Sequence, residues 1–400
     1  MSAPQPSGAA LRPQDPRFRR ALLALFATGL AAFAMIYVVQ PVLPLVSRDL
    51  GVNATQASLL VSVATFAIAV AVLPLARLSE RLGRRRTIAW GLAVAAVAGV
   101  LAAVAPTYGL LVVARGVQGA AVAVVPAAAL AWVAENVEAA SVTRVAGLYV
   151  AGTTVGGMAG RLLGGVVAEV TTWRTALLVV ALGGAALTAA GPLLLPGGAA
   201  AQRRTERARA DAAVAARADD RGTRLRLYLL AGLGMVMLVG VFNVIGYRTS
   251  APPFLLGTGL GSLFYLTYLG GTAASSLAGR FERRVGLRGT VLVGLAACLG
   301  GVVLTVPDSV VLVWLGLAVV AAGFFMVHAT ASANAARLSP RPSDGSGIYT
   351  LAYYLGSSVG GVVVGHAWEL GAWGGTVTAA VVVLAVAGVV AAGLPRRVGR

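Results

Sequence analysis

Long apolar runs broken by short polar turns dominate this chain, and most of the runs are about 20 residues long. A helix of that length rises roughly 30 Å, the thickness of a bilayer hydrocarbon core. The pattern predicts spans at 21–44, 56–76, 87–105, 109–133, 145–168 and 175–195, then at 227–247, 261–278, 289–306, 309–333, 346–367 and 373–394. Between the two sets lies the one long non-apolar stretch, 197–226, with eight arginines and four acids among small residues. It reads as a solvated linker. The expected organisation is a tail at 1–20, a six-helix half at 21–196, the linker, a second half at 227–394 and a tail at 395–400. The fold class is therefore all-α and polytopic, with twelve helices in two halves.

Composition narrows the function classes. The chain is 58% hydrophobic and 12% charged, about half the charged share of a soluble protein. Its net charge of +18 would suggest nucleic acid in a soluble chain. Here the charge sits in turns between apolar runs, so the partner it implies is the lipid bilayer and not nucleic acid. All 32 basic residues are arginine, which removes the phosphate-loop lysine and lysine Schiff-base chemistry. One cysteine, Cys298, gives no disulfide framework, and two histidines make no familiar zinc site. The spans hold no convergent acid, base and nucleophile, so an enzyme is not expected. The apolar run after Arg20 is too long for a cleaved signal peptide.

Sidedness follows from the arginines. With the N-terminus in the cytoplasm, 27 arginines fall in cytoplasmic tails and loops and three (Arg48, Arg174, Arg248) fall outside. Arg115 and Arg161 lie within spans. Both termini are thus expected inside.

The halves are copies. Residues 76–86 and 279–289 repeat one basic turn, aligning Arg77 with Arg280, Arg81 with Arg284, Gly83 with Gly286 and Arg85 with Arg288. Tyr149, Gly152, Gly156 and Gly157 in the fifth span match Tyr353, Gly356, Gly360 and Gly361, 204 residues on. Six spans per half is even, so the copies are parallel and related by an axis along the membrane normal.

These motifs resemble the major facilitator superfamily of secondary transporters over essentially the whole chain. The turn with Leu78, Glu80, Arg81, Gly83, Arg84 and Arg85 is similar to the family's loop motif, with Ala76 in place of its first glycine and Glu80 in place of its aspartate. Leu111, Arg115, Gln118 and Gly119 match the fourth-helix motif of drug:proton antiporters. Gly156, Gly160, Arg161, Gly164 and Gly165 match the fifth-helix antiporter motif, except that Arg161 replaces its proline. The run from Tyr37 through Gln40 and Pro41 to Pro44, with the pair Trp173–Arg174, looks like the bacterial arabinose-efflux-like permeases. The resemblance implies alternating access, a bacterial inner-membrane location and a monomer without cofactor. It also implies a stripe (Gly152, Gly156, Gly160, Gly164) meeting the eighth helix across the halves.

Glu80 is expected to face the N-terminus of span 11 and latch the cytoplasmic side, because unpaired helix N–H groups favour an anion. Arg283 stands at the acid's position in the second copy, around Arg284 and Gly286, so that copy reads as mostly topogenic. Inside the spans there is no aspartate or glutamate. Arg115 and Arg161 each cost about 2.5–3.5 kcal/mol at mid-membrane. Gln40 is the natural acceptor for Arg115. Arg115 and Arg161, with Tyr37, Gln40, Gln118, Asn243, Tyr247, His328 and Tyr353, are the candidate cavity residues. Tyr265, Tyr268 and Tyr354 are further aromatic candidates, and His366 is interfacial.

Two buried cations and no carboxylate favour a neutral polar or anionic small molecule over a cationic drug. Proton coupling, where it operates, falls to His328 or to a helix-end carboxylate, Glu135 or Asp49. The leading expectation is an efflux permease. Uptake or facilitated diffusion of an organic anion or sugar is the alternative in the same fold, and a non-transporting sensor or scaffold is the alternative of another class.

Overall fold

The computed structural model describes residues 10–195 and 220–397, and the described chain is helical, with one isolated backbone bridge between Leu11 and Val137. In the first half the helices are α1 (Pro16–Tyr37), α2 (Leu43–Leu50), α3 (Ala54–Leu82), α4 (Arg84–Val104), α5 (Tyr108–Asn136), α6 (Ala139–Val170) and α7 (Trp173–Leu194). In the second they are α8 (Arg221–Ser250), α9 (Thr258–Ser262), α10 (Tyr268–Leu304), α11 (Val310–Arg337) and α12 (Pro342–Ala392). Among the described residues nine helical stretches are long and apolar enough to cross a membrane, and Trp173–Ala189 is a shorter apolar helix.

Several boundaries depart from the sequence pattern. The first expected span is broken: α1 stops at Tyr37, a 3₁₀ turn covers Gln40–Val42, and α2 resumes. Pro41 and Pro44 lack the N–H groups that a continuous helix would use there. The eighth expected span begins in the same irregular way, through α9 and a 3₁₀ turn at Leu263–Thr267. Spans 8 and 9 run together as α10, bent at Gly286 (φ 80°), and spans 11 and 12 run together as α12, bent at Gly371 and Ala372. Gly83, the first-copy counterpart of Gly286, also has a positive φ of 90°. The repeated turn needs glycine in both copies because only glycine adopts that conformation without strain. Both outer boundaries also move. Asp15 caps α1, and hydrogen bonding to Arg17 holds its carboxyl below the usual range. Asp220 accepts from Thr223 N at 2.9 Å, so Arg221, Arg224 and Arg226 belong to α8 rather than to a linker. The rest of the expected linker lies outside the described residues.

Small residues set the packing. Added Cβ atoms at Gly152, Gly156, Gly160 and Gly164 would run into the backbone of Phe26, Leu30, Ala34 and Val38 respectively. The stripe therefore clamps α6 onto α1 inside the first half, which corrects the expectation that it meets the eighth helix. The cross-half glycine lies one position over: Gly165 packs against Ser262 and Thr258 of α9. The second half repeats the clamp, with Gly356 and Gly360 of α12 on Gly232 and Val236 of α8. Between the halves the broadest seam is α3 against α12, where Gly361 meets Ser58 and Ser62 and Gly365 meets Thr55. Close backbone approach of this kind replaces the hydrophobic drive that lipid does not supply.

The basic turns have unequal anchors. Arg84 donates to Glu135 Oε1 through Nη2 (3.1 Å) and Nε (3.2 Å), to Ser79 Oγ (2.5 Å) and to Glu80 Oε1 (3.3 Å), tying α3, α4 and α5 together. In the second copy the acid lies on the turn, and Asn334 of α11 donates to Glu282 at 2.9 Å. Arg81 and Arg284 are exposed.

Gly156→Ala is expected to lower the melting temperature of the purified protein by a few degrees, because overpacking a seam costs about 1–3 kcal/mol. Gly147→Ala, where an added Cβ meets nothing, is the control and is expected to leave it unchanged.

Candidate functional site

The two arginines inside the helices have different surroundings. Arg115, on α5, is 1% exposed. It donates to Leu60 O (3.2 Å), Met35 O (3.1 Å), Ile36 O and Gln118 Oε1, and Gln118 in turn donates to Ala95 O at 3.0 Å. These carbonyls come from α1, α3 and α4. The break in α1 frees some of them, since the last carbonyls of a helix have no intrahelical donor. Arg115 thus pins α1 and α3 to α5, and neither it nor Gln118 lines the cavity beside Arg161 described below. The expected Gln40 acceptor is not its partner, because the backbone of α1 meets the guanidinium first.

Arg161, on α6, holds Gln40 instead. Its Nε donates to Gln40 Oε1 at 2.5 Å and its Nη1 to Gly157 O at 2.8 Å. With its oxygen taken, Gln40 presents Nε2, which donates to Asn243 Oδ1 at 2.6 Å. A guanidinium can only donate, so it fixes the orientation of both amides along the chain Arg161–Gln40–Asn243. Gln40 and Asn243 are 203 residues apart, the offset of the basic turns, so this link joins equivalent positions of the two copies. Nearby, Tyr247 repeats the theme, with its hydroxyl 2.6 Å from Ser47 Oγ and donating to Leu43 O at 3.2 Å. Gln40 and Asn243 are fully buried and Tyr247 faces α2, so these three hold the halves together and do not line the cavity.

A cavity of about 170 Å³ lies between the halves next to Arg161, toward the end that carries the basic turns. Tyr37, Thr153 and Arg161 line it from the first half, and Tyr268, His328 and Tyr353 from the second. Aromatic rings surround the charge: the Arg161 guanidinium carbon lies 4.0 Å from the Tyr37 ring centre, 4.9 Å from Tyr268 and 5.3 Å from Tyr265. Such contacts are worth about 2 kcal/mol or more once desolvated. His328 stacks on Phe324, and Tyr349 Oη lies 3.0 Å from its Nδ1. Tyr349 Oη also lies 3.3 Å from His328 O, within donating reach. Tyr354 is buried beside Tyr353, and His366 is exposed, 3.9 Å from Glu369. Tyr265 donates to Phe242 O and also lines a second cavity, of about 180 Å³, on the far side with Arg48 and Glu169.

Sequence reasoning placed Tyr37, Arg161, His328 and Tyr353 in one group, and the structure brings all four to one cavity. It missed Phe33, Met158, Met235 and Phe325, which complete the wall and look like any other apolar span residue in sequence. The repeat offset marks Gln40 and Asn243 as equivalent positions, but nothing in the sequence says that they pair.

Residues 25–361 match the family model described as Major Facilitator Superfamily. The chain is 32% identical over 386 residues to the inner membrane transport protein YnfM of Escherichia coli (strain K12), covering 96% of this chain and 92% of that one. It is 30% identical over 372 residues to the uncharacterized MFS-type transporter YybF of Bacillus subtilis (strain 168), covering 92% and 91%. Among solved structures, an inward-facing, occupied bacterial homolog of the human lysosomal transporter Spinster superposes with a TM-score of 0.76 at 16% identity, covering 94% of this chain and 97% of that one.

Arg115→Leu is expected to lower the melting temperature more than Arg161→Leu does. It strands three carbonyls and Gln118 without water, at about 1–3 kcal/mol for each unpaired group. An equal or larger loss for Arg161→Leu would contradict the division of roles.

Proposed function

This chain belongs to the Major Facilitator Superfamily and is a membrane transporter of that type; from that premise we propose that it is an efflux permease working by alternating access, with its substrate site in the cavity beside Arg161. The observation that carries this reading is the cavity itself. Both halves line it, and the Arg161–Gln40–Asn243 chain closes it on the side away from the basic turns.

The arginine bias supports a cytoplasmic side for the basic turns and both termini in a bacterial inner membrane, and the bends in α10 and α12 are compatible with twelve crossings. In that orientation the cavity lies on the cytoplasmic side of its closure, ready to load a solute from the cell. Outward transport rests on the resemblance to efflux permeases. A single chain encloses the site, which supports a monomeric working unit. Among the described residues His328 is the one histidine in the cavity lining, and it would carry a coupled proton. Uptake in the same fold remains the alternative and differs only in the direction of the driving gradient.

The latch belongs to the opposite state. In this structure Glu80 is held by Arg84 in its own turn and its side chain is 57% exposed. When the cytoplasmic side closes, Glu80 would approach the N-terminus of α12. Gly347, in its first turns, already packs against Leu73 of α3.

Purified protein in liposomes, given a pH gradient or a diffusion potential and a panel of neutral, anionic and cationic solutes, is expected to move at least one class. Arg161→Ala is expected to cut that flux at least about tenfold, the scale of one lost hydrogen bond to a charged group. No flux for any solute would contradict the transporter reading of this chain. Glu80→Gln is expected to slow flux while leaving the fold intact; unchanged flux would leave the turn a topogenic element only.

A further inference from the structure

Arg161 is not fully used by the protein. A guanidinium carries five N–H groups. Gln40 takes the one on Nε and Gly157 O takes one on Nη1. The other three, including both on Nη2, donate to no acceptor among the described residues, although Arg161 is 4% exposed and lines the cavity. The three tyrosine rings around it accept its charge through their faces but supply no strong acceptor atom. Among the described residues no aspartate or glutamate lines this cavity. A buried cation with open donors and no counter-charge is completed by an anion brought from outside. The planar pair of Nη donors matches the two oxygens of a carboxylate.

The rest of the lining describes the remainder of the ligand. Phe33, Met158, Met235, Leu238 and Phe325 give an apolar wall, with Tyr268 and Tyr353 beside it. Flat aromatic and flexible thioether surfaces of this kind suit a planar apolar body. A sugar could reach hydroxyls of Thr153, Tyr268 and Tyr353, but it offers the cation no counter-charge and would lay polar groups on the Phe33, Met158, Met235, Leu238 and Phe325 wall. A cationic solute would meet Arg161 with no acid to offset the like charge. The substitution of arginine for the family's proline at this position puts the charge there, and its counterpart in the second copy, 204 residues on, is Gly365, so the site is one-sided.

We propose that the ligand of this cavity is an organic monoanion, a carboxylate on a flat apolar body, with its acid group on the open Nη donors of Arg161 and its body against Tyr268 and Phe325. This rests on the reading of the cavity as the transport site.

The test uses the full chain in nanodiscs and three probes that share a ring and differ in charge: benzoate, benzyl alcohol and benzylamine. Benzoate is expected to bind at least about tenfold more tightly than benzyl alcohol, with benzylamine weakest, a ratio set by the charge-assisted pair. Arg161→Gln is expected to erase the preference, Arg161→Lys to keep part of it, and Tyr268→Leu to weaken all three probes alike. Equal binding of the three, strongest binding of benzylamine, no binding of benzoate, or a benzoate preference that survives Arg161→Gln would each overturn the proposal. If Arg161→Gln fails to fold, the ranking of the three probes on the unaltered chain decides. The two readings fail separately. Selective benzoate binding without flux in liposomes contradicts the transporter reading alone, whereas flux confined to neutral or cationic solutes contradicts the anion alone.

Discussion

A hydrocarbon interior offers no water, so a guanidinium placed there must find its acceptors in the protein. That constraint organises the middle of this molecule. Arg115 places four of its five N–H groups, on three carbonyls and Gln118, and the result is a fixed joint among α1, α3, α4 and α5. Arg161 meets it only in part. Its two committed donors orient Gln40 toward Asn243, and its open donors face a cavity. One arginine builds the first half, and the other links that half to the second.

The link has a geometric consequence. Gln40 and Asn243 occupy the same place in the two copies, so their hydrogen bond lies where the duplicated halves face each other across their axis. Two equivalent amides could pair in either sense. Arg161 removes the ambiguity because it occurs in the first copy only; the second has Gly365 there. The duplication therefore supplies the joint and its single asymmetric charge supplies the polarity. The basic turns show the same division, with Arg84 reaching Glu135 in one copy and Asn334 reaching Glu282 in the other.

Much of this was legible in the sequence, for physical reasons. Apolar runs of bilayer length and turns that demand a positive φ leave direct marks, so the helices, the repeat and the glycines Gly83 and Gly286 were readable. Intramembrane arginines are costly enough to stand out in the sequence, yet of the two expected in the cavity only Arg161 lines it. What could not be read was which acceptor each would find. Gln40 was assigned to Arg115 on depth alone, yet the break at Pro41 exposes α1 carbonyls to Arg115 and turns the Gln40 side chain toward α6. The glycine stripe failed for a similar reason. A spacing of four marks a close helix contact but does not name the partner, and the backbone of α1 fills the groove. Phe33, Met158 and Phe325 carried no signal, because an apolar residue facing a cavity and one facing lipid obey the same hydropathy pattern.

The Arg161–Gln40–Asn243 chain ties the halves together at the end away from the basic turns. Spin labels at Pro106 and Val306, both exposed at that end, in a Cys298→Ser background, report it directly by pulsed electron–electron distance measurement. Asn243→Leu removes the cross-half acceptor and leaves the Arg161–Gln40 bond in place. A single narrow distance is expected in the unaltered chain and a second, longer population in Asn243→Leu. Identical distributions in the two proteins would contradict it.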